Sequence, residues 1–188
     1  MFEYYYKFDA EISKLINLDY IKRKADENID KRMILVNSDF ALQSNFFNYL
    51  KPYGLRNYLM LFLQKAGDLN EKIHTDYLEE NTPHHYSCNI ICNGQGTMTW
   101  FKEPDGENKI SQHPNDPKNI LYKTYAGITM LPVDQWVDGK IALVKTGVPH
   151  GVKNNGTEDR VCLSIRINDH GWETAKDLYK NYFVNELL

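Results

Sequence analysis

Apolar and polar residues recur along this chain with two different periods, and the change of period divides it. In the first third the spacing is helical. Ile12, Leu15, Ile16 and Leu18 fall at intervals that bring them to one face, which predicts a helix over 9–18. Ser38 and Asp39 can cap a second helix through Phe40, Leu42, Phe46, Phe47 and Leu50, with Pro52 and Gly54 to end it. Beyond it the pattern shortens. Residues 57–64 (NYLMLFLQ) form a continuous apolar run, read as a strand covered on both faces. Strand-like segments follow over 72–77, 86–92, 97–102, 122–131, 140–145, 150–153 and 160–167. Between them lie Asn93-Gly94, Pro104-Asp105-Gly106, Asp138-Gly139 and Asn154-Asn155-Gly156, residue types that enter turns cheaply. The polar stretch 105–118, with Pro114 and Pro117, predicts a long loop of the kind that edges a site. Residues 171–183 predict a closing helix. Many short strands with Gly, Asn and Asp turns point to a mainly β (α+β) fold: a sandwich, jelly roll or barrel. No linker interrupts the chain. One domain is therefore expected, with a mostly helical flank over 1–56, a β core over 57–168 and a C-terminal helix over 169–188.

Composition narrows the class. The chain has 188 residues, 42% hydrophobic and 25% charged, enough to bury a sizeable core without covalent staples. Its 13 Tyr, 8 Phe and 3 Trp suit a β fold with aromatic packing. A net charge of −3 gives no global reason to expect nucleic acid or an anionic membrane as partner, and leaves a small-molecule or peptidyl substrate open. No apolar run reaches the roughly 20 residues of a membrane span. The opening residues MFEYYYKFD lack the apolar centre of a signal peptide. The three cysteines, Cys88, Cys92 and Cys162, cannot all pair within the chain, so a reduced, cytoplasmic protein is expected. Cys88 and Cys92 do not form Cys-x-x-Cys and no second pair exists, which argues against a zinc-thiolate site.

The chemistry concentrates at His74-Thr75-Asp76 and at His150. Residues two apart on a strand share a face, so His74 and Asp76 aim an imidazole and a carboxylate the same way. His150 can supply the third ligand. Two histidines and one carboxylate on one side of a metal leave its other positions open, the arrangement of non-haem Fe(II) oxygenases. Catalytic zinc matches the ligand types as well. On the last strand Arg160, Cys162, Ser164 and Arg166 share one face, while Val161, Leu163, Ile165 and Ile167 share the other. The apolar set belongs to a core layer and the polar set to a pocket wall. Two arginines facing inward need anions, and a dicarboxylic co-substrate would supply them.

Together these residues resemble the 2-oxoglutarate- and Fe(II)-dependent dioxygenases, in particular the small prokaryotic and phage-encoded members. His74-Thr75-Asp76 matches their His-x-Asp, His150 their distal histidine and Arg160 the anchor of the distal 2-oxoglutarate carboxylate; residues 141–167 (IALVKTGVPHGVKNNGTEDRVCLSIRI) carry the closest likeness. The resemblance implies a double-stranded β-helix (a cupin-like jelly roll) with flanking helices. It implies Fe(II) as cofactor, 2-oxoglutarate and O2 as co-substrates, and substrate hydroxylation coupled to release of succinate and CO2. It also makes Asn89 a candidate for binding the co-substrate or ordering a metal-bound water. Arg166 becomes a candidate for a substrate carboxylate or for assisting Arg160, and Trp100, Tyr122, Tyr125 and Ser164 are candidate pocket lining. Two other readings stand beside it. One is a cupin-like metalloenzyme without 2-oxoglutarate, although cupins usually present His-x-His. The other is a metal-free β-barrel binding protein. His84 and His85 read as turn or entrance residues.

Overall fold

The computed structural model describes residues 3–79, 82–103, 110–113, 116–125, 129–168 and 170–185. Along the chain come β1 (Tyr5–Phe8), α1 (Leu18–Asp26), β2 (Met33–Asn37), α2 (Ser38–Ala41), α3 (Ser44–Leu50) and β3 (Tyr58–Gln64). Next are β4 (His74–Glu79), the two-residue β5 (Thr82–Pro83), β6 (Tyr86–Asn93), β7 (Thr97–Phe101), β8 (Ile110–His113) and β9 (Asp116–Thr124). The chain closes with β10 (Pro132–Val137), β11 (Ile141–Lys145), β12 (His150–Lys153), β13 (Arg160–Ile165) and α4 (Trp172–Asn185).

The strands form two antiparallel sheets. One has the order β1-β11-β6-β13-β3-β2 and the other β10-β7-β12-β4-β9-β8, with β5 beside β4. From β3 onward the chain crosses repeatedly between sheets: β3, β6, β11 and β13 lie in the first, and β4, β7, β10 and β12 in the second. This crossing brings His-x-Asp and the distal histidine, far apart in sequence, onto neighbouring strands.

The apolar alternation of the strands creates two cores. On the first sheet Leu59, Leu61, Leu63, Ile90, Ile141, Leu143, Leu163 and Ile165 pack against Phe46 and Leu50 of α3 and Leu178, Tyr179, Tyr182 and Phe183 of α4. On the opposite face Ile91, Ala142, Val144 and Cys162 meet Met98, Trp100 and Trp136 of the second sheet. The apolar face of β13 is thus a core layer as expected, whereas the face expected to be polar is mixed, because Cys162 joins the apolar cluster.

The elements differ from the sequence expectation where burial imitates periodicity. Over 9–18 there is a short 3-10 turn, Ile12–Lys14, and α1 begins only at Leu18, where the Asn17 side chain accepts the Tyr20 amide. Leu15 and Ile16 are spaced helically because both are fully buried, and Ile16 bridges to Leu42 as a strand residue would. The helix expected through Phe40 to Leu50 is split into α2 and α3, because Leu42 and Gln43 are extended and the Gln43 amide bonds the Leu15 carbonyl. Its cap is Asn37, not Ser38 or Asp39. The flank 1–56 also gives β1 and β2 to the edges of the first sheet, so it is not simply helical. The segment 105–118, read as a loop, contains β8 and the first residues of β9, and β8 pairs antiparallel with β9, Ile110 opposite Lys123 and His113 opposite Asp116; residues 104–109 and 114–115 lie outside the description. The strand read over 122–131 is the end of β9, then β10 beginning at Pro132, and residues 126–128 lie outside the description. Among the described residues no helix is long and apolar enough to cross a membrane. All three cysteines are free thiols.

Candidate metal centre

β4 carries His74 and Asp76 on the face turned to the other sheet, and β12 runs antiparallel beside it with His150 opposite His74. The two imidazole rings lie 4.4 Å apart between centroids. His74 Nε2 is 3.6 Å from Asp76 Oδ1. One ligand atom from each of the three residues falls within 4.8 Å of the others. His74 Nδ1 is 2.8 Å from the Lys72 carbonyl, and His150 Nδ1 is 2.9 Å from the Val148 carbonyl. A carbonyl only accepts, so each Nδ1 carries a proton, and Nε2 is the atom that the neutral ring can offer as a ligand. With Nδ1 engaged in this way, the neutral ring would present Nε2 to a metal.

The electrostatics hold His150 and Asp76 in ligand form. Burial, with His74 alongside, pushes the His150 ring down to about 4, so it is neutral at physiological pH. Burial alone would push the Asp76 carboxyl up, but Arg166, with the flanking histidines, holds it well below the usual carboxylate range. Two imidazole nitrogens and one carboxylate oxygen fit a divalent transition metal such as iron(II) or zinc.

Around the triad the fold gathers a polar wall. Arg166 donates through Nη2 to Asp76 Oδ2, and both side chains are buried. Ser164 lies opposite Asn89 in the β13–β6 pairing, and Ser87 donates to Asn89 Oδ1 at 3.2 Å. Asn89, Ser164 and Arg166 therefore line the inner face of the first sheet, and all three are buried. A tight backbone network sits behind Asp76. Its amide bonds the Thr146 carbonyl, its carbonyl accepts the His84 amide, and Thr146 Oγ1 donates to the His84 carbonyl. His84, expected at a turn or entrance, is fully buried, and burial with Arg166 nearby pushes its ring down to about 2.

Other expected site residues stand elsewhere. Arg160 is buried at the far end of β13, where the guanidinium meets the protein's own carboxylate. Its Nε is 2.5 Å from Asp138 Oδ2, its Nη2 3.3 Å from Asp138 Oδ1, and its Nη1 3.2 Å from Gln64 Oε1. Cys162, between Arg160 and Ser164 on that face, belongs to the apolar cluster with Trp100, Met98 and Trp136. Trp100 is opposite His150 in register, but it is fully buried and its indole N–H is bound to the Lys145 carbonyl. The Tyr125 hydroxyl bonds Thr75 Oγ1 and Glu103 Oε1. Thr75 points away from His74 and Asp76, so Tyr125 backs the β4 strand instead of lining the triad's side. Tyr122 is the β9 backbone partner of Asp76, and its side chain lies outside the described residues. Sequence reasoning missed Asp138 as the partner of Arg160, because an Asp-Gly pair reads only as a turn. It missed His84 because a His-His pair after a proline carries no periodic signal.

No family model matches the chain, and no curated protein does. Solved structures similar to it include those of two different proteins. One is of oxalate decarboxylase, with a TM-score of 0.32 and 14% identity over 74% of this chain and 26% of that one. The other is of E. coli ycfD, with a TM-score of 0.35 and 14% identity over 77% of this chain and 34% of that one. The chain thus spans about a quarter to a third of the proteins it matches.

Proposed function

We propose that this protein is a non-haem iron(II) oxygenase that uses 2-oxoglutarate, built on a double-stranded β-helix. The observation that carries the reading is the triad. Two buried or half-buried histidines with Nδ1 fixed on backbone carbonyls, and a carboxylate between them, converge within 4.8 Å. The alternation of β3, β4, β6, β7, β10, β11, β12 and β13 between two sheets supports the β-helix. In this reading His74, Asp76 and His150 hold the metal on one side. When bound, iron supplies dioxygen activation coupled to decarboxylation of the keto acid. The chain's own part is to orient and to exclude water. Arg166 fixes Asp76, while Asn89 and Ser164 offer hydrogen bonds to a carboxylate or keto oxygen beside the metal. The substrate is a small molecule or peptidyl group that reaches the half-buried His74 side.

The test is anaerobic addition of 2-oxoglutarate to the Fe(II)-loaded protein. A weak visible charge-transfer band is expected, followed by slow succinate release in air, with both lost in His74→Ala. A second reading, a metalloenzyme without 2-oxoglutarate, draws on Arg160, whose charge Asp138 already neutralises. Metal binding without the band or succinate would favour it. No metal binding at all would leave the metal-free β-barrel.

A further inference from the structure

Thr75 stands between the two candidate ligands of β4 and faces the other way. Its side chain is buried on the outer side of the second sheet, where it begins a chain of hydrogen bonds. Thr75 Oγ1 is 3.1 Å from the Tyr125 hydroxyl, that hydroxyl donates to Glu103 Oε1 at 2.8 Å, and Lys123 Nζ donates to the same oxygen at 2.5 Å. The direction of the chain follows from its chemistry. A carboxylate only accepts, so the phenol gives its proton to Glu103 and accepts the Thr75 hydroxyl. Burial pushes the phenol up to about 12, so it stays protonated and keeps that direction. The Lys123 ammonium lies 5.2 Å from the Tyr125 ring centroid and closes the cluster.

The backbone pairing shows why β4 needs this support. β9 pairs with β4 from His74 to Tyr77 and sets Lys123 opposite Thr75, and the Tyr125 amide reaches the Ile73 carbonyl at 3.2 Å. Among the described residues β12 meets β4 at one register position, His150 opposite His74, and Asp76 adds an amide bond to the Thr146 carbonyl. The strand is therefore held more firmly along the β9 edge and is freest to turn about its own axis. Side chains alternate along a strand, so such a turn would carry His74 and Asp76 away from His150 together. The Thr75 side chain is the lever on the opposite face, and fixing it fixes the turn. Lys123 and Tyr125 bring that hold from β9, and Glu103 brings it from the chain just after β7.

We propose that Tyr125 is a positioning residue for the metal centre: by accepting the Thr75 hydroxyl and donating to Glu103, it sets the turn of β4 that aims His74 and Asp76 at the metal. This role rests on the metal-centre reading above.

The test is Co(II) titration of the full chain with its visible ligand-field spectrum. Tyr125→Phe removes the hydroxyl and keeps the ring, Thr75→Val removes the donor at the same shape, and Thr75→Ser keeps the donor. The Phe and Val variants should each lose about tenfold in Co(II) affinity, the scale of loss when the support of a metal ligand is removed, and should show the same shifted band. Their double variant should lose no more than either alone, because both remove one bond. The Ser variant should keep the parent's affinity and band. A folded Phe variant with parental affinity and band overturns the proposal even if its unfolding midpoint falls, which would mean a structural role alone; additive losses overturn it as well. Glu103→Ala probes the far end of the chain at a side chain 52% exposed, so the core is untouched. A band shifted in the same direction supports the proposal, and an unchanged band overturns it. A parent that does not bind Co(II) overturns the metal reading together with this role, whereas a parent and variants that bind alike overturn this role alone.

Discussion

Asp76 meets one cation in the fold, Arg166, and in the proposed metal centre would meet a second, and that double role sets what substitution does. Asp76→Asn leaves the Arg166 guanidinium buried without its counter-ion, a change that costs about 3–5 kcal/mol in comparable buried pairs. Urea unfolding of the metal-free variant should show that loss, and metal titration should show no binding at the triad. The buried histidines set the pH response. Both His84 and His150 have folded values, about 2 and about 4, below the ordinary 6.5. Between those limits the unfolded chain binds protons that the folded chain refuses. Stability is therefore complete above the ordinary value and falls as pH drops, by up to about 1.4 kcal/mol per pH unit for each histidine. The urea midpoint of the metal-free protein should be clearly lower at pH 5 than at pH 7; equal midpoints would contradict the buried, neutral rings.

Among the elements, β13 shows how alternation assigns roles without assigning partners. Its apolar face was legible as a core layer, and the other face was legible as needing anions. The anions came from elsewhere in the chain: Asp76 on β4 for Arg166, and Asp138 in the β10–β11 turn for Arg160. Asp138→Ala should therefore destabilise the fold by about 3–5 kcal/mol, read by thermal or urea unfolding, because it strands a charge that is 2% exposed. Gly96 makes room for that guanidinium. A Cβ there would lie 2.7 Å from Arg160 Cδ and 2.8 Å from the Lys153 carbonyl, so Gly96→Ala should cost roughly 1–3 kcal/mol by overpacking. A Gly96→Ala protein as stable as the parent would mean that the pair has slack the structure does not show.

For the whole molecule, the first sheet is the shared wall: helices cover one face and the second sheet the other. The packing of Leu178, Tyr179, Tyr182 and Phe183 on that wall makes α4 part of the fold. A chain ending before Trp172 should lose its cooperative unfolding transition and expose a dye-binding apolar face, whereas a sharp transition would show that the sheets fold without the helix. Period and turn chemistry placed β3, β4, β6, β7, β11, β12 and β13 to within a few residues and paired His74 with Asp76 on one face, because a strand's alternation is a local property of the backbone. They misjudged 9–18 and 40–50, where buried apolar residues copy helical spacing, and left β1, β2 and β10 unread, because these strands gain their hydrogen bonds only by joining a sheet. By itself, then, the sequence determined the mainly β class, the His-x-Asp face and the polar set of β13. Only the tertiary structure decided that β12 brings His150 to within 4.8 Å of that pair, that Asp138 meets Arg160, and that His84 lies buried with its amide on the Asp76 carbonyl. The reason is physical: which charges meet depends on strand order between the sheets, and strand order is fixed by packing over the whole chain.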